Sequence, residues 1–230
     1  MKITHLIYDM DGLLLDTEPF YTQATQVIVA RYGKAYDWSL KSMMIGRSAQ
    51  DSARLLVEAL QLPLTPDEYL EQRAEILERL FPETEPAVGA LRLTRHFHRH
   101  RIPQAVATSS NRRYFELKTR KHKEWFGIFN CIVVGDDPAV KRGKPAPDIF
   151  LVAAGRLGAR PSSCLVFEDA PAGAEAALAA GMSVVVVPDP NMNHDAYPDA
   201  ARIIRTLDDF DPVPHGLPEK GHGFTRIDTD

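Results

Sequence analysis

Asp9-Met10-Asp11-Gly12 follows directly on the apolar run Ile3-Thr4-His5-Leu6-Ile7-Tyr8. Residues i and i+2 of a strand point the same way, so both carboxylates can face one ligand at the strand's mouth, and Gly12 lets the chain turn sharply beyond them. Two like charges this close call for a cation, a proton or an anion-processing task. Taken alone, Asp-x-Asp-Gly reads most simply as a solvated turn. A calcium loop is excluded by spacing: it wants Gly at the sixth position and Glu at the twelfth, where this chain has Leu14 and Phe20.

Three further fragments supply complementary chemistry. Gln104-Ala105-Val106-Ala107 runs into Thr108-Ser109-Ser110-Asn111, whose hydroxyls and N–H groups can grip an anion's oxygens, although such a run also makes an ordinary helix N-cap. Arg142-Gly143-Lys144-Pro145 holds a lysine in a stiff turn, where most lysines are merely solvated. Cys164-Leu165-Val166-Phe167 delivers Glu168 and Asp169 to a strand tip, the place where ligands bind in α/β sheets.

The elements that must position these groups can be read from apolar runs at 3–8, 104–108, 131–135, 164–167 and 183–188, with a weaker one at 202–207. Helical patterns separate them, which predicts an α/β fold with a doubly wound parallel sheet, a Rossmann-like core. About 90 residues separate the first two strands, far more than a crossover needs, so an inserted helical cap domain is expected over 17–84, with the core formed by 1–16 and 85–230. Its helices are expected at 17–31, 49–60 and 66–81, the last opened by Thr65-Pro66-Asp67-Glu68, an N-cap with proline at the first helical position. Leu55, Leu56, Ala59, Leu60 and Leu62 form an apolar stripe expected to be the cap's own core. The linkers fall near 15–17 and 81–86, and 211–230 reads as an irregular tail.

Asp-x-Asp-Gly, Thr/Ser, Gly-Lys-Pro and Glu-Asp in this order, each tied to a strand, resemble the phosphatase branch of the haloacid dehalogenase superfamily along nearly the whole chain. The resemblance implies phosphoryl transfer. Asp9 would be the nucleophile that forms an aspartyl-phosphate, and Asp11 the acid and then base. It implies Mg2+ held by Asp9, the Asp11 backbone carbonyl, Asp169 and Glu168. Thr108 and the Ser109 N–H would hold a phosphoryl oxygen, with Asn111 beside them, and Lys144 would offset the charge. From the cap, Glu18, Tyr21, Arg47 and Arg54 are the residues expected to reach the substrate.

Related sugar-phosphate mutases carry a His in the first cap helix and an Arg after the cap-loop Gly, where this chain has Tyr21 and Ala49; hydrolysis is favoured over the mutase alternative. Arg31-Tyr32-Gly33-Lys34, the stretch from Leu117 to Phe126, Gly135-Asp136-Asp137-Pro138 and Gly216-Leu217-Pro218 are similar to the pseudouridine-5'-phosphatase group. A small nucleoside or sugar phosphate such as pseudouridine 5'-phosphate is therefore the expected substrate. A non-catalytic phosphometabolite-binding protein would be expected to have lost some of the four motifs.

With 230 residues, 44% of them hydrophobic, the chain can bury a core without staples. A net charge of −4 gives no reason to expect a nucleic-acid polymer or a membrane as partner, no obligate protein partner is evident, and no leader or spanning segment is apparent, so a cytoplasmic location is expected. Cys131 and Cys164 read as reduced core residues. The basic run Lys118 to Lys123 reads as a solvated helix face. His96 and His100 share a helical face, but without an acid or Cys in the motif a metal is not expected there.

Overall fold

The computed structural model describes residues 2–44, 49–199 and 201–220. Six parallel strands, β1 (His5–Tyr8), β2 (Gln104–Ala107), β3 (Cys131–Val133), β4 (Cys164–Glu168), β5 (Ser183–Val186) and β6 (Arg202–Ile203), pair in the order β3-β2-β1-β4-β5-β6. Each expected strand is present; β4 runs one residue further than its apolar run, to Glu168, and the others are shorter than theirs, β1 at its amino end and β2, β3, β5 and β6 at the carboxyl end, where Thr108 passes into a loop of the site. The sheet grows outward from β1 in one direction and then jumps across it between β3 and β4, which opens a crevice at the carboxyl ends of β1 and β4.

Alternation along each strand decides the two packed faces. Leu6, Tyr8, Val106, Leu165, Phe167 and Val185 face a cluster that includes Leu93, Phe97, Trp125 and Phe210. Ile7, Ala105, Val166, Val184 and Val186 face Ile149, Phe150 and Ala153 together with Ala174, Ala176 and Ala177. With both faces covered, the strands need no polar alternation, which is why they read as continuous apolar runs. Gln104, buried in β2, interrupts this pattern, and its amide is satisfied: its Oε1 accepts from the Tyr8 hydroxyl at 3.0 Å and its Nε2 donates to the Thr94 carbonyl at 3.0 Å.

Between β1 and β2 lie α1 (Glu18–Ala30), α2 (Trp38–Met44), α3 (Ala49–Leu60) and α4 (Pro66–Leu80). Their own cluster is built from Ile28, Val29, Ala53, Leu56, Leu62 and Tyr69, with Leu60 packed against it. Ala59, expected inside, is exposed. α4 begins with a full capping box between Thr65 and Glu68. α2 was not anticipated, because seven residues are too few to show a period; its one local signal is Asp37, whose carboxylate accepts from the Leu40 N–H at 3.1 Å. The chain enters and leaves this insertion side by side, with the Asp16 N–H on the Glu85 carbonyl (3.0 Å) and the Ala87 N–H on the Leu14 carbonyl (2.9 Å).

The remaining helices are α5 (Ala90–Arg99), α6 (Arg112–Lys118), α7 (Lys123–Phe126), α8 (Asp148–Leu157) and α9 (Pro171–Ala179). The insertion seats on α6 through Phe81, which packs with Ala24 and Leu77 against Tyr114 and Leu117. His96 of α5 is buried with its Nε2 3.1 Å from the Pro218 carbonyl, so this histidine ties the C-terminal stretch to the core. Both cysteines are free, Cys164 buried and Cys131 half-buried. Among the described residues no helix is long and apolar enough to cross a membrane.

Phe167 is fully buried, stacked on Tyr8 at 5.0 Å between ring centroids and edge-on to Phe210 at 4.8 Å. Phe167→Ala should cost about 3–5 kcal/mol, read as a lowered urea midpoint at unchanged slope; a loss below about 1 kcal/mol would contradict this packing.

Candidate active site

Asp9 continues the ladder one residue past β1, its N–H on the Phe167 carbonyl at 2.9 Å. Its side chain is thereby fixed at the crevice mouth, and the residue is only 6% exposed. Lys144, from the loop between β3 and α8, donates to Asp9 Oδ1 at 2.5 Å, to Glu168 Oε1 at 2.6 Å and to the Ala107 carbonyl at 3.2 Å. Glu168, 1% exposed, also accepts from the N–H groups of Asp169 (2.9 Å) and Ala170 (3.1 Å). Carboxylate oxygens of Asp9, Glu168 and Asp169 lie within 4.8 Å of one another.

Three carboxylates and one ammonium in a buried space leave a surplus of negative charge. Burial pushes the Asp9 carboxyl up to about 7, with Glu168 and Asp11 adding to the rise and Lys144 opposing it. Burial likewise drives Asp169 well above the usual carboxylate range, reinforced by Glu168 and Asp9. Burial alone would lower Lys144, but its two carboxylate partners outweigh that and raise it. A compact set of oxygen donors short of positive charge fits a hard divalent cation.

Two glycines make the crowding possible. A Cβ on Gly12, whose φ is +79°, would lie 2.3 Å from Asp169 Oδ2, and one on Gly173 would lie 1.8 Å from Glu168 Oε1. Each carboxylate therefore occupies space that any side chain at these positions would fill.

Asp11 faces differently. Its Oδ2 accepts from the Ser110 hydroxyl at 2.8 Å and from the Thr108 hydroxyl at 3.3 Å, and its Oδ1 is ion-paired with Lys118. Burial works against the charged form of Asp11, yet Lys118 and the Ser110 hydrogen bond prevail and hold its carboxyl below the ordinary value. Lys118 corrects the sequence reading of 118–123 as a solvated face. Its side chain is 0% exposed, donates to Tyr21 Oη (2.9 Å) and Ser110 Oγ (2.8 Å), and places Nζ 4.3 Å from the Phe81 ring centroid. The available signal was its position three residues after buried Phe115, on the same side of α6.

A cavity of about 870 Å³ joins these groups to the insertion. Of the expected substrate contacts, Ser109, Asn111 and Glu18 line it, but Asn111 Oδ1 is committed as N-cap of α6, accepting from the Tyr114 N–H at 2.8 Å, and Glu18 is paired with Lys41 at 3.0 Å. Tyr21 and Ala49, the two departures from the mutase pattern, are both in the wall. Arg54 does not reach it: this exposed side chain pairs with Asp51 at 3.3 Å on another surface. Arg47 lies outside the described residues.

Sequence reasoning missed Arg73, which lines the cavity from α4 with its guanidinium 5.6 Å from the Tyr69 ring and 6.0 Å from the Tyr21 ring. Among the described residues no carboxylate pairs with it. It shares a helix face with Leu70, Ala74 and Leu77, also in the wall, and an apolar-looking face does not announce a ligand-facing cation.

Residues 3–181 match the family model described as haloacid dehalogenase-like hydrolase. The chain is 48% identical over 222 residues to "(DL)-glycerol-3-phosphatase 2" of Arabidopsis thaliana, covering 94% of this chain and 92% of the relative. It is 47% identical over 220 residues to "Probable pseudouridine-5'-phosphatase" of Drosophila melanogaster, covering 94% and 95%. Among solved structures, a "putative beta-phosphoglucomutase" from Thermotoga maritima superposes with a TM-score of 0.71 at 30% identity, over 90% of this chain and 96% of that one.

Gly173→Ala should cost about 1–3 kcal/mol by overpacking, despite alanine's better helix propensity, because its methyl has to displace Glu168; an unchanged thermal midpoint would contradict the contact. A second expectation concerns pH. With the Asp9 carboxyl raised from 3.8 to about 7, the native state holds more protons than the unfolded chain between those values, so ionisation of Asp9 lowers stability as pH rises. Without metal, Asp9→Asn should gain on the wild type in thermal midpoint from pH 4 to about 7 and level off above; a gap constant across that window would rule out the raised value.

Proposed function

Because the chain belongs to the haloacid dehalogenase-like hydrolases, we propose that it is a phosphomonoester hydrolase working through an aspartyl-phosphate on Asp9, with residues 17–84 acting as a cap over the cavity. The observation that carries this reading is the meeting of Asp9, Lys144, Glu168 and Asp169 at one strand-end crevice, with Asp11 alongside but separately partnered.

A carboxylate oxygen of Asp9 attacks phosphorus while the bond to the leaving oxygen breaks, and Asp11 gives that oxygen a proton. Water then attacks phosphorus, Asp11 takes a proton from it, and the bond to Asp9 breaks to release phosphate. Lys118 holds the resting Asp11 carboxyl ionised, so Asp11 first takes up the proton that a phosphomonoester monoanion brings and passes it to the leaving oxygen; the low value then suits the second transfer. Thr108 and Ser109 grip the phosphoryl oxygens, and Lys144 offsets their charge and keeps Asp9 aimed. Asp9, Glu168 and Asp169, with the Asp11 backbone carbonyl, are the residues that would hold Mg2+, which when bound offsets the repulsion between the attacking carboxylate and the phosphate.

Glycerol 3-phosphate and pseudouridine 5'-phosphate, the substrates implied by the names of two relatives, are both phosphate esters of a primary alcohol with hydroxyls nearby. We assign this chain the same class, a small hydroxylated alkyl phosphate. A cavity of about 870 Å³ has room for the larger of the two. Tyr21, Ser52 and Arg73 supply the polar contacts beyond the phosphate. One observation favours a second reading, a sugar-phosphate mutase: Arg73 places a cation opposite the nucleophile that could hold a second phosphate.

Phosphate release should be measured with Mg2+ from pseudouridine 5'-phosphate, uridine 5'-monophosphate, glycerol 3-phosphate, ribityl phosphates and hexose phosphates. Asp9→Asn should abolish turnover with the fold intact, and a chelator should abolish it until Mg2+ is restored. Hydrolysis retained by Asp9→Asn would sink the assignment. Conversion of a hexose 1-phosphate to its 6-phosphate without net phosphate release would move it to the mutase.

A further inference from the structure

Asp9 and Asp11 leave the same strand end on the same side, so elementary electrostatics would have both turn to one nearby cation. They do not. Lys144 is taken up by Asp9 and Glu168, and Asp11 has a lysine of its own, Lys118, from a different element, the last residue of α6. A lysine with a 0% exposed side chain among Phe81, Tyr21 and Tyr114 is costly to bury and has to be matched by partners. Its ammonium has three: Asp11, Tyr21 Oη and Ser110 Oγ. Ser110 in turn donates to the other oxygen of Asp11. Both carboxylate oxygens are thus fixed by a ring of groups that leave Asp9 and its neighbours alone.

We propose that Lys118 is the positioning residue of Asp11. Resting on the hydrolase reading above, it gives the acid/base a counter-ion separate from the nucleophile's and, through Tyr21 of α1, ties the placement of Asp11 to the seating of the helical insertion. Lys118 is not itself in the cavity wall, and of the acids at the site it pairs with Asp11 and not with Asp9, Glu168 or Asp169.

The role predicts a dependence on the leaving group. Departure of an alkoxide needs a proton, whereas p-nitrophenolate leaves without one. kcat/KM, which covers the steps through leaving-group departure, should be compared for p-nitrophenyl phosphate and for the better of glycerol 3-phosphate and pseudouridine 5'-phosphate. Lys118→Met should lower it about 100-fold for the alkyl ester and less than about 10-fold for the aryl ester. In an Asp11→Asn background, the same change should add less than about 3-fold, because its route is already cut. Lys118→Arg, which keeps a cation beside Asp11 but not the compact ammonium that reaches both Ser110 and Tyr21, should give a smaller loss with the same bias and decides the matter if Lys118→Met melts too low to assay. Equal losses on the two esters, or a Lys118→Met loss that adds in full to that of Asp11→Asn, would overturn the role of Lys118 while leaving the hydrolase standing. A wild type that hydrolyses none of these esters would overturn both.

Discussion

Like-charge repulsion among Asp9, Glu168 and Asp169 is the constraint around which the rest of the molecule is arranged. Carboxylates whose oxygens lie within 4.8 Å and out of bulk water would repel strongly if all were ionised, since little solvent is left to screen them, and Asp9 and Asp169 answer by holding their protons to higher pH. The sheet holds them there regardless, because Asp9 and Glu168 are fixed by backbone pairing of β1 with β4 rather than by any affinity of their own. Lys144 removes part of the repulsion and the N–H groups at the start of α9 remove more. What remains is an electrostatic demand for an incoming cation and for a ligand that brings one, stored in a scaffold whose stability comes from apolar packing on the two faces of the sheet.

That division of labour explains which parts were legible in the sequence. The strands were legible because a parallel sheet covered on both faces leaves uninterrupted apolar runs, and the acids were legible because each follows such a run directly. Gly12 and Gly173 could be read only in part. Gly12 is in a turn signal, but that Gly173 makes space for the Glu168 carboxylate depends on how α9 returns across the strand end, which no local pattern records. Lys118, whose one signal was its spacing from Phe115, and Arg73 were hard to read for a related reason. A lysine in a basic run and an arginine in a charged helix look like surface, and only the docking of the insertion on α6 encloses the first and turns the second toward the cavity. Arg54, expected at the substrate, instead meets Asp51 one helical turn away and stays in solvent. Long-range contacts thus hid Lys118 and Arg73, whereas the strands and the acids at their tips could be read from the local pattern.

The insertion and the core also differ in how they treat polar groups. In the core, Gln104 is matched to Tyr8 and Thr94, and His96 to Pro218, so the polar atoms there fix the packing. On the insertion side of the cavity, Arg73 meets aromatic faces instead of a carboxylate, and Ser52, Leu70, Ala74 and Leu77 form a wall of small and apolar surface. The polar groups buried beside the sheet thus meet polar partners, whereas the insertion offers the cavity a cation over aromatic rings and a largely apolar wall.

The insertion's two crossings are neighbours: Asp16 and Leu14 on the way in bond Glu85 and Ala87 on the way out. A segment whose ends meet in this way closes no loop through the sheet and can be exchanged without altering a single strand pairing. The insertion is thus a detachable collar in the topological sense: its length and sequence can vary while every strand pairing that fixes Asp9 and Glu168 stays in register.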